Sequence, residues 1–377
     1  MIKLIKGLFK LMFILIFACV GLAGGFLINL YVLNPVKDED PTKIITSGNL
    51  SIHFLEVGNN NTGDSIYIKC GETDILVDGG SRTNSSKAIQ QYVNQYVDDG
   101  VLEYVIVTHA DQDHIAAFAG DGSNQSLFDM YEVKTIIDFP KTDKSTAVLN
   151  RYVQKREAEV EQGAKHYTAL QCWKGENGGQ RSYEIGDGVT LNILHNYYYE
   201  NKSSDENNYS VCFQIEQGAN KYLFTGDLEE KGEEYLVSYN TLGKVKLYKA
   251  GHHGSKTSSN DCLLEVIQPE IVVVTCVAGS VEYTQNFSNT FPTQLFIDRI
   301  SKWTDKVYVT TVGEVEEVVD KDGNTKFKDA GFSSMNGNVV INVDKNNIEV
   351  TCSNNNLKLK ETDWFKANRT CPSAWAA

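Results

Sequence analysis

The stretch Val101-Leu102-Glu103-Tyr104-Val105-Ile106-Val107-Thr108-His109-Ala110-Asp111-Gln112-Asp113-His114 decides the fold. Its first part, VLEYVIVT, is a nearly continuous apolar run rich in β-branched residues, and reads as a buried strand. The part that follows puts His109, Asp111, Asp113 and His114 within six residues. A helix would scatter these side chains around its circumference. A loop leaving a buried strand can aim several at one point, which suits a metal ion. Two carboxylates and two imidazoles fit a hard or borderline divalent cation, manganese or zinc rather than copper.

Working outward, the same pattern recurs. Lys221–Thr225 is an apolar run that ends at Gly226-Asp227, and Val245–Ala250 ends at Gly251-His252-His253. Four of the seven histidines fall in these two His clusters. A further buried run, Ile271–Thr275, follows a helix-like stretch over Asn260–Ile267. Upstream, Ser51–Val57, Ser65–Lys69 and Thr73–Val77 read as short strands separated by Asn/Gly turns. Ser85–Asp98 has helical spacing, with Ile89, Tyr92, Val93 and Tyr96 on one face. Strands that end in polar clusters are how layered α/β enzymes gather a site from distant sequence. Two cations a few ångströms apart need a shared anion between them, and water held between such cations ionises near neutral pH.

These residues resemble the metallo-β-lactamase superfamily. Thr108–His114 is similar to its H-x-[HD]-x-D-H signature, and the Asp111 variant resembles the branch with the extracellular hydrolase domain of the competence protein ComEC. His53–Gly58, Gly63-Asp64-Ser65, Ile75–Gly80, Asn207–Ser210, Phe224–Asp227 and His252–Ser259 match that branch in order, so the resemblance runs from about Leu50 to Asp344. It implies an α/β (α+β) fold, an αββα sandwich with two divalent cations, Zn2+ or Mn2+, at one edge of the sheets. By the same resemblance His109 and Asp111 hold one metal, Asp113 and His114 the other, and Asp227 bridges them. His252 and His253 supply a ligand and a substrate contact in an order the sequence leaves open. Asp113, Asp227 and His253 are carried as the catalytic residues. Asp78 either fixes the Asp-Gly-Gly turn or orients a ligand from behind. Lys256, Ser258, Asn207 and Asn208 are the candidate substrate contacts.

The sequence also departs from the pattern. The superfamily's usual histidine upstream of the bridging Asp is not evident; Asn207 and Asn208 stand about there, and His195 reads as structural. Ala116-Ala117 follow the signature where the branch often has two glycines, and Phe291-Pro292 stands where relatives often have His-Pro. A charged insertion separates Val312 from Met335.

Composition sets the wider frame. Hydrophobic residues make up 41% of the 377, enough for a packed core, and the formal net charge is −14. With Lys3, Lys6 and Lys10 set aside, 32 basic residues against 49 acidic ones leave −17 for the rest of the chain. So acidic a surface argues against a sequence-reading DNA-binding protein and requires phosphate to be captured locally. The eight cysteines show no C-x-x-C spacing and read mostly as buried thiols, with Cys352 and Cys371 the one pair considered for a disulfide. Residues 11–33 are uncharged and long enough to span a bilayer, with lysines before them and acids after. They read as a single-pass anchor, or a signal peptide, that places the remainder outside the cell. The expected layout is a stub and anchor over 1–33, a linker over 34–47, the hydrolase domain over 48–345 and a tail over 346–377.

The expected function is metal-dependent hydrolysis of phosphoester or phosphodiester bonds in a small or envelope-bound substrate. A ComEC-like nuclease acting on nucleic acid, an amide, ester or β-lactam hydrolase, and a non-catalytic binding protein are the alternatives.

Overall fold

The computed structural model describes residues 43–44, 46, 48–344 and 347–376. The expected anchor over 11–33, and with it the choice between anchor and signal peptide, lies outside the described residues. Among the described residues no helix is long and apolar enough to cross a membrane.

The N-terminal half alternates β1 (Leu50–Phe54), β2 (Ile66–Cys70), β3 (Thr73–Val77), helix α1 (Ser85–Val93), β4 (Val101–Ile106), α2 (Gln112–Ala119), β5 (Glu132–Asp138), α3 (Ala147–Glu161) and β6 (Lys165–Thr168). There follow α4 (Ala169–Lys174), β7 (Ser182–Gly186), β8 (Val189–Ile193), β9 (Phe213–Gln217), β10 (Asn220–Phe224), α5 (Glu230–Tyr239) and β11 (Leu247–Lys249). The remainder is α6 (Asp261–Ile267), β12 (Ile271–Ala278), α7 (Gln294–Ile300), β13 (Val307–Val319), β14 (Thr325–Ser334), β15 (Val339–Asp344), β16 (Asn347–Cys352) and α8 (Asp363–Asn368).

These strands form two eight-stranded sheets, one ordered β16-β15-β1-β2-β3-β4-β5-β6 and the other β14-β13-β12-β11-β10-β9-β8-β7. This is a mixed α/β architecture with two sheets. Each contains a run of four parallel strands: β3 through β6, ending at one edge of the first sheet, and β10 through β13 within the second. Alternation along β1 turns Leu50, Ile52 and Phe54 into a core shared with Leu191, Phe213, Phe224 and Val273 of the second sheet. The intervening His53 points the other way, onto Tyr92 and Tyr96 at the end of α1. On the second sheet Tyr248, Val272 and Val274 face a separate core with Leu236, Leu263 and Phe296 of α5, α6 and α7. Strand β12, IVVVTCVA, is buried along its whole length, as a strand packed on both faces must be.

Two segments differ from their sequence reading. Residues 312–335, expected as a charged insertion, form most of the β13–β14 hairpin, whose outer half is largely exposed. Of the expected tail over 346–377, the described residues 347–376 pack onto the domain: β16 pairs with β15, and Leu359, Phe365 and Trp375 are buried in the second core. Short polar stretches between these anchors hid that packing. Cys352 and Cys371 are free thiols, as are the other five cysteines among the described residues.

Candidate metal centre

Parallel strands deliver the site, because their C-terminal ends share one edge of each sheet. Strand β3 leads into Asp78, β4 into His109–His114, β10 into Asp227 and β11 into His252 and His253. Three of these residues hold left-handed backbone: Asp78 (φ 57°), His252 (φ 45°) and His253 (φ 55°). Non-glycine residues seldom adopt such angles, and the strain they store clusters at functional sites. Gly226 (φ 53°) is required where it stands. A Cβ there would lie 2.7 Å from Ser210 Oγ and 3.0 Å from the Thr108 side chain, so a larger residue would push Asp227 out of place.

Asp113, His114, Asp227 and His253 each offer a ligand atom within 4.8 Å of the others. His253 Nε2 lies 3.2 Å from Asp227 Oδ2 and 3.3 Å from Asp113 Oδ2, and His114 Nε2 lies 3.3 Å from Asp227 Oδ2. His109 stands beside this group, its ring 4.1 Å from that of His114, with Nε2 3.8 Å from Asp111 Oδ2. Of the histidine pair, His253 is buried within the cluster, whereas His252 is half-buried with Nε2 3.9 Å from Asp227 Oδ2.

The donor set fits divalent cations. His109 Nε2 is a buried nitrogen without a hydrogen-bond partner, and His253 Nε2 and Asp227 Oδ1 make no aligned hydrogen bond although charged groups stand 3.2–3.5 Å from them. Orphaned groups of this kind are costly unless something occupies them. Burial, with His114 nearby, lowers the His109 pKa, which keeps that imidazole in the neutral form a metal requires. Burial alone would deprotonate His114 too, but Asp227 and Asp78 on either side reverse the effect and hold its pKa well above the ordinary value. Burial likewise opposes a charge on Asp227, yet His253, His114 and Lys249 keep it ionised.

A scaffold of hydrogen bonds stands behind the ligand atoms. Asp78 accepts from the Thr108 backbone and hydroxyl, both at 2.8 Å, and its second oxygen lies 2.8 Å from His114 Nδ1. That contact leaves Nε2 facing the cluster, the arrangement that orients a metal-binding imidazole. His253 Nδ1 donates to the Thr275 carbonyl at 2.9 Å and also sits 3.1 Å from Asp64. Asp64, Asp78 and His114 gather as well, but Asp64 pairs with Lys249 and Asp78 is saturated by its donors, so this second group is the floor of the first.

The expected substrate contacts are distributed differently. Asn207 and Asn208 are buried in a 3-10 turn, and Asn208 Oδ1 accepts from the Glu229 backbone, so they tie that loop to the glutamate facing His252. Lys256 is exposed, with Nζ 3.4 Å from Asn289, and Ser258 is fully buried. His195 stacks among Trp173 and Tyr239. Sequence reasoning missed Asp64, Lys249, Lys144 and Tyr283. Lys144 Nζ lies 2.6 Å from Asp111, and the Tyr283 hydroxyl donates to Asp113 Oδ2 at 2.9 Å. A lysine inside an otherwise apolar strand was the readable signal for Lys249; Asp64 stood in the Gly63-Asp64-Ser65 turn without a role, and Lys144 and Tyr283 come from loops without pattern.

A family model described as the metallo-beta-lactamase superfamily matches residues 59–120 and 205–276. The chain carries a domain of that superfamily, and the matched segments supply every ligand candidate named above. Within the superfamily the chain is similar to the ComEC-like competence proteins. It is 27% identical over 176 residues to ComE operon protein 3 of Bacillus subtilis (strain 168), across 46% of this chain and 20% of that protein. Recombination protein 2 of Haemophilus influenzae is 26% identical over 226 residues, across 59% of this chain and 24% of that one. Competence protein ComA of Neisseria gonorrhoeae is 27% identical over 222 residues, across 58% and 26%. The chain thus spans about a quarter or less of the length of these relatives. Among solved structures, the metallo-beta-lactamase fold protein YhfI from Bacillus subtilis covers 69% of this chain and 95% of its own at 12% identity, with a TM-score of 0.41.

Proposed function

We propose that the chain is an exported, membrane-anchored hydrolase of phosphoester or phosphodiester bonds that works with two divalent cations, zinc or manganese. One observation carries the reading: Asp113, His114, Asp227 and His253 converge within 4.8 Å, beside His109 and His253 nitrogens that make no aligned hydrogen bond. His109 and Asp111 would hold one cation, Asp113, His114 and His253 the other, with Asp227 between them. When bound, the cations supply Lewis acidity toward oxygen and a polarised water at neutral pH. The chain's own groups do the rest. Asp78 fixes the His114 tautomer, Thr275 fixes that of His253, and Lys144 beside Asp111 offers the charge to attract an anionic substrate. Residues 11–33 would tether the domain, leaving it to digestion by protease added outside intact cells.

The purified protein should carry about two divalent cations per chain and hydrolyse a bis-aryl phosphate. Chelation should abolish turnover, and so should Asp113→Ala or Asp227→Ala without loss of circular dichroism. A chain that takes up no zinc or manganese contradicts the reading. The similarity to competence and recombination proteins favours DNA as the second candidate substrate. A net charge of −14 opposes it, because an acidic surface forfeits the counterion release that drives nucleic-acid binding. Comparison of kcat/KM on the small diester and on DNA, with metal held constant, separates the two.

A further inference from the structure

The loop between β12 and α7 crosses in front of the ligand cluster. Its Tyr283 is 55% exposed, yet its hydroxyl donates to Asp113 Oδ2, the same oxygen that lies 3.3 Å from His253 Nε2. The ring packs on Phe291 at 5.6 Å between centroids, and Phe291 in turn lies 5.8 Å and 5.9 Å from His252 and His253. Tyr283 therefore stands on the boundary between solvent and candidate metal ligands.

An exposed loop tyrosine loses its aim unless the loop is held, and this loop is held at several points. Glu282 pairs with Arg82 at 2.5 Å and accepts from the Thr62 backbone at 2.9 Å. On its other flank the Ser280 hydroxyl and the Val281 backbone N–H both donate to Asp329. Gln285 exchanges two hydrogen bonds with the backbone of Phe327, and Phe287 packs edge-on against the Phe327 ring at 4.8 Å. Asp329 and Phe327 both belong to β14, in the exposed half of the hairpin. That half buries little apolar surface of its own, and its inward-facing groups are spent on bracing the Tyr283 loop.

We propose that Tyr283 is a substrate-contacting residue: its hydroxyl, braced by the β13–β14 hairpin at the edge of the ligand cluster, donates a hydrogen bond to a phosphate oxygen of the bound substrate. The inference rests on the site taking phosphate-type oxyanions, as in the reading above. Asp113 Oδ2 competes poorly for the hydroxyl proton once a cation draws on its lone pairs, which leaves the donor for an incoming oxyanion. A hydrogen bond to a charged acceptor of this kind corresponds to roughly 10- to 100-fold in affinity.

The test measures binding of inorganic phosphate to the full-length, metal-loaded protein by calorimetry, alongside metal content and metal affinity. Tyr283→Phe should weaken phosphate by about 10-fold or more while metal stoichiometry and affinity hold. Asp329→Ala, remote from the ligands, should weaken phosphate in the same direction by a smaller factor. Unchanged phosphate affinity in Tyr283→Phe, or a loss that merely follows a fall in metal affinity, overturns the proposal. So does a wild-type protein that binds metal but no phosphate. An Asp329→Ala protein with wild-type phosphate affinity overturns the bracing role of the hairpin. If phosphate binding depends on Tyr283 but no phosphodiester is cleaved, the inference stands and the hydrolysis reading falls.

Discussion

Lys249 and Asp64 form an ion pair from which water is almost wholly excluded, their side chains 1% and 2% exposed. The same ammonium lies 3.5 Å from Asp227 Oδ1, beneath the candidate metal ligands. Burial opposes a charged lysine here, but Asp64 and Asp227 outweigh it and raise the Lys249 pKa. Lys249 therefore sets one fixed positive charge between Asp64 and Asp227.

Removing that charge leaves Asp64 without its lysine partner and Asp227 with one fewer positive neighbour, both in a buried setting. Lys249→Met should destabilise the metal-free protein by about 3–5 kcal/mol, the usual cost of breaking a buried pair from one side. Saturating zinc should restore part of the loss, since bound cations offset the same carboxylates. Denaturant titrations with and without metal check both statements. A metal-free loss below about 1 kcal/mol, within the range of exposed pairs, contradicts them.

Asp78 lies against His114 Nδ1, so its expected role is to position that imidazole. Asp78→Asn keeps the shape but replaces the carboxylate oxygen 2.8 Å from His114 Nδ1. Metal affinity should fall about 10- to 100-fold, as measured by competition with a chromogenic chelator. Unaltered affinity would leave Asp78 with the Asp-Gly-Gly turn as its sole role.

Lys144 and Lys256 make opposite predictions. Lys144 pairs with Asp111 at 2.6 Å, while Lys256 reaches Asn289 on the exposed side of its loop. Lys144→Met should raise KM for an anionic diester several-fold and leave stability within about 1 kcal/mol, because a partly exposed pair contributes little to folding. Lys256→Met should change KM less. A larger effect from Lys256 would return it to the role the sequence suggested.

His53 supplies a pH dependence away from the metals. Its ring nitrogens each lie 2.8 Å from a hydroxyl, of Tyr92 and of Ser51, and burial lowers its pKa to about 3. An unfolded histidine titrates near 6.5, so between these values the unfolded chain takes up a proton that the fold refuses. This contribution is fully present above pH 6.5 and is lost as the pH falls toward 3, at about 1.4 kcal/mol per pH unit. His53→Gln should flatten the stability profile across that window, and an equally steep profile in the variant would exclude His53 as the source.

How far the sequence reached follows from where each signal lies. The turn His109–His114, Asp227 and the His252-His253 pair were readable because each follows an apolar parallel strand, and such strands end on one edge. Asp64 passed as part of a turn, although its carboxylate meets Thr275, Lys249 and His253 from the second sheet's side. Tyr283 carries no periodicity; only the braced loop brings it to Asp113. The β13–β14 hairpin read as a charged insertion because solvent faces both sides of its outer half, which erases the alternation that marks a strand. Leu359, Phe365 and Trp375 anchor a segment too polar in between to register as part of the domain.

The pairing of β1 with β15, Leu50 against Val343 through Phe54 against Val339, bears on the order in which the molecule matures. A chain delivered from its N-terminus presents every candidate ligand, His253 included, before the strand that closes the first sheet has emerged. Until then β1 has β2 on one side and an open edge on the other, and the loop carrying Asp64 hangs from that unfinished strand. Contacts so distant along the chain form late. The β1–β15 pairing is accordingly among the last contacts to form, and a nascent chain cut short of Val339 would expose β1 as an edge for aggregation.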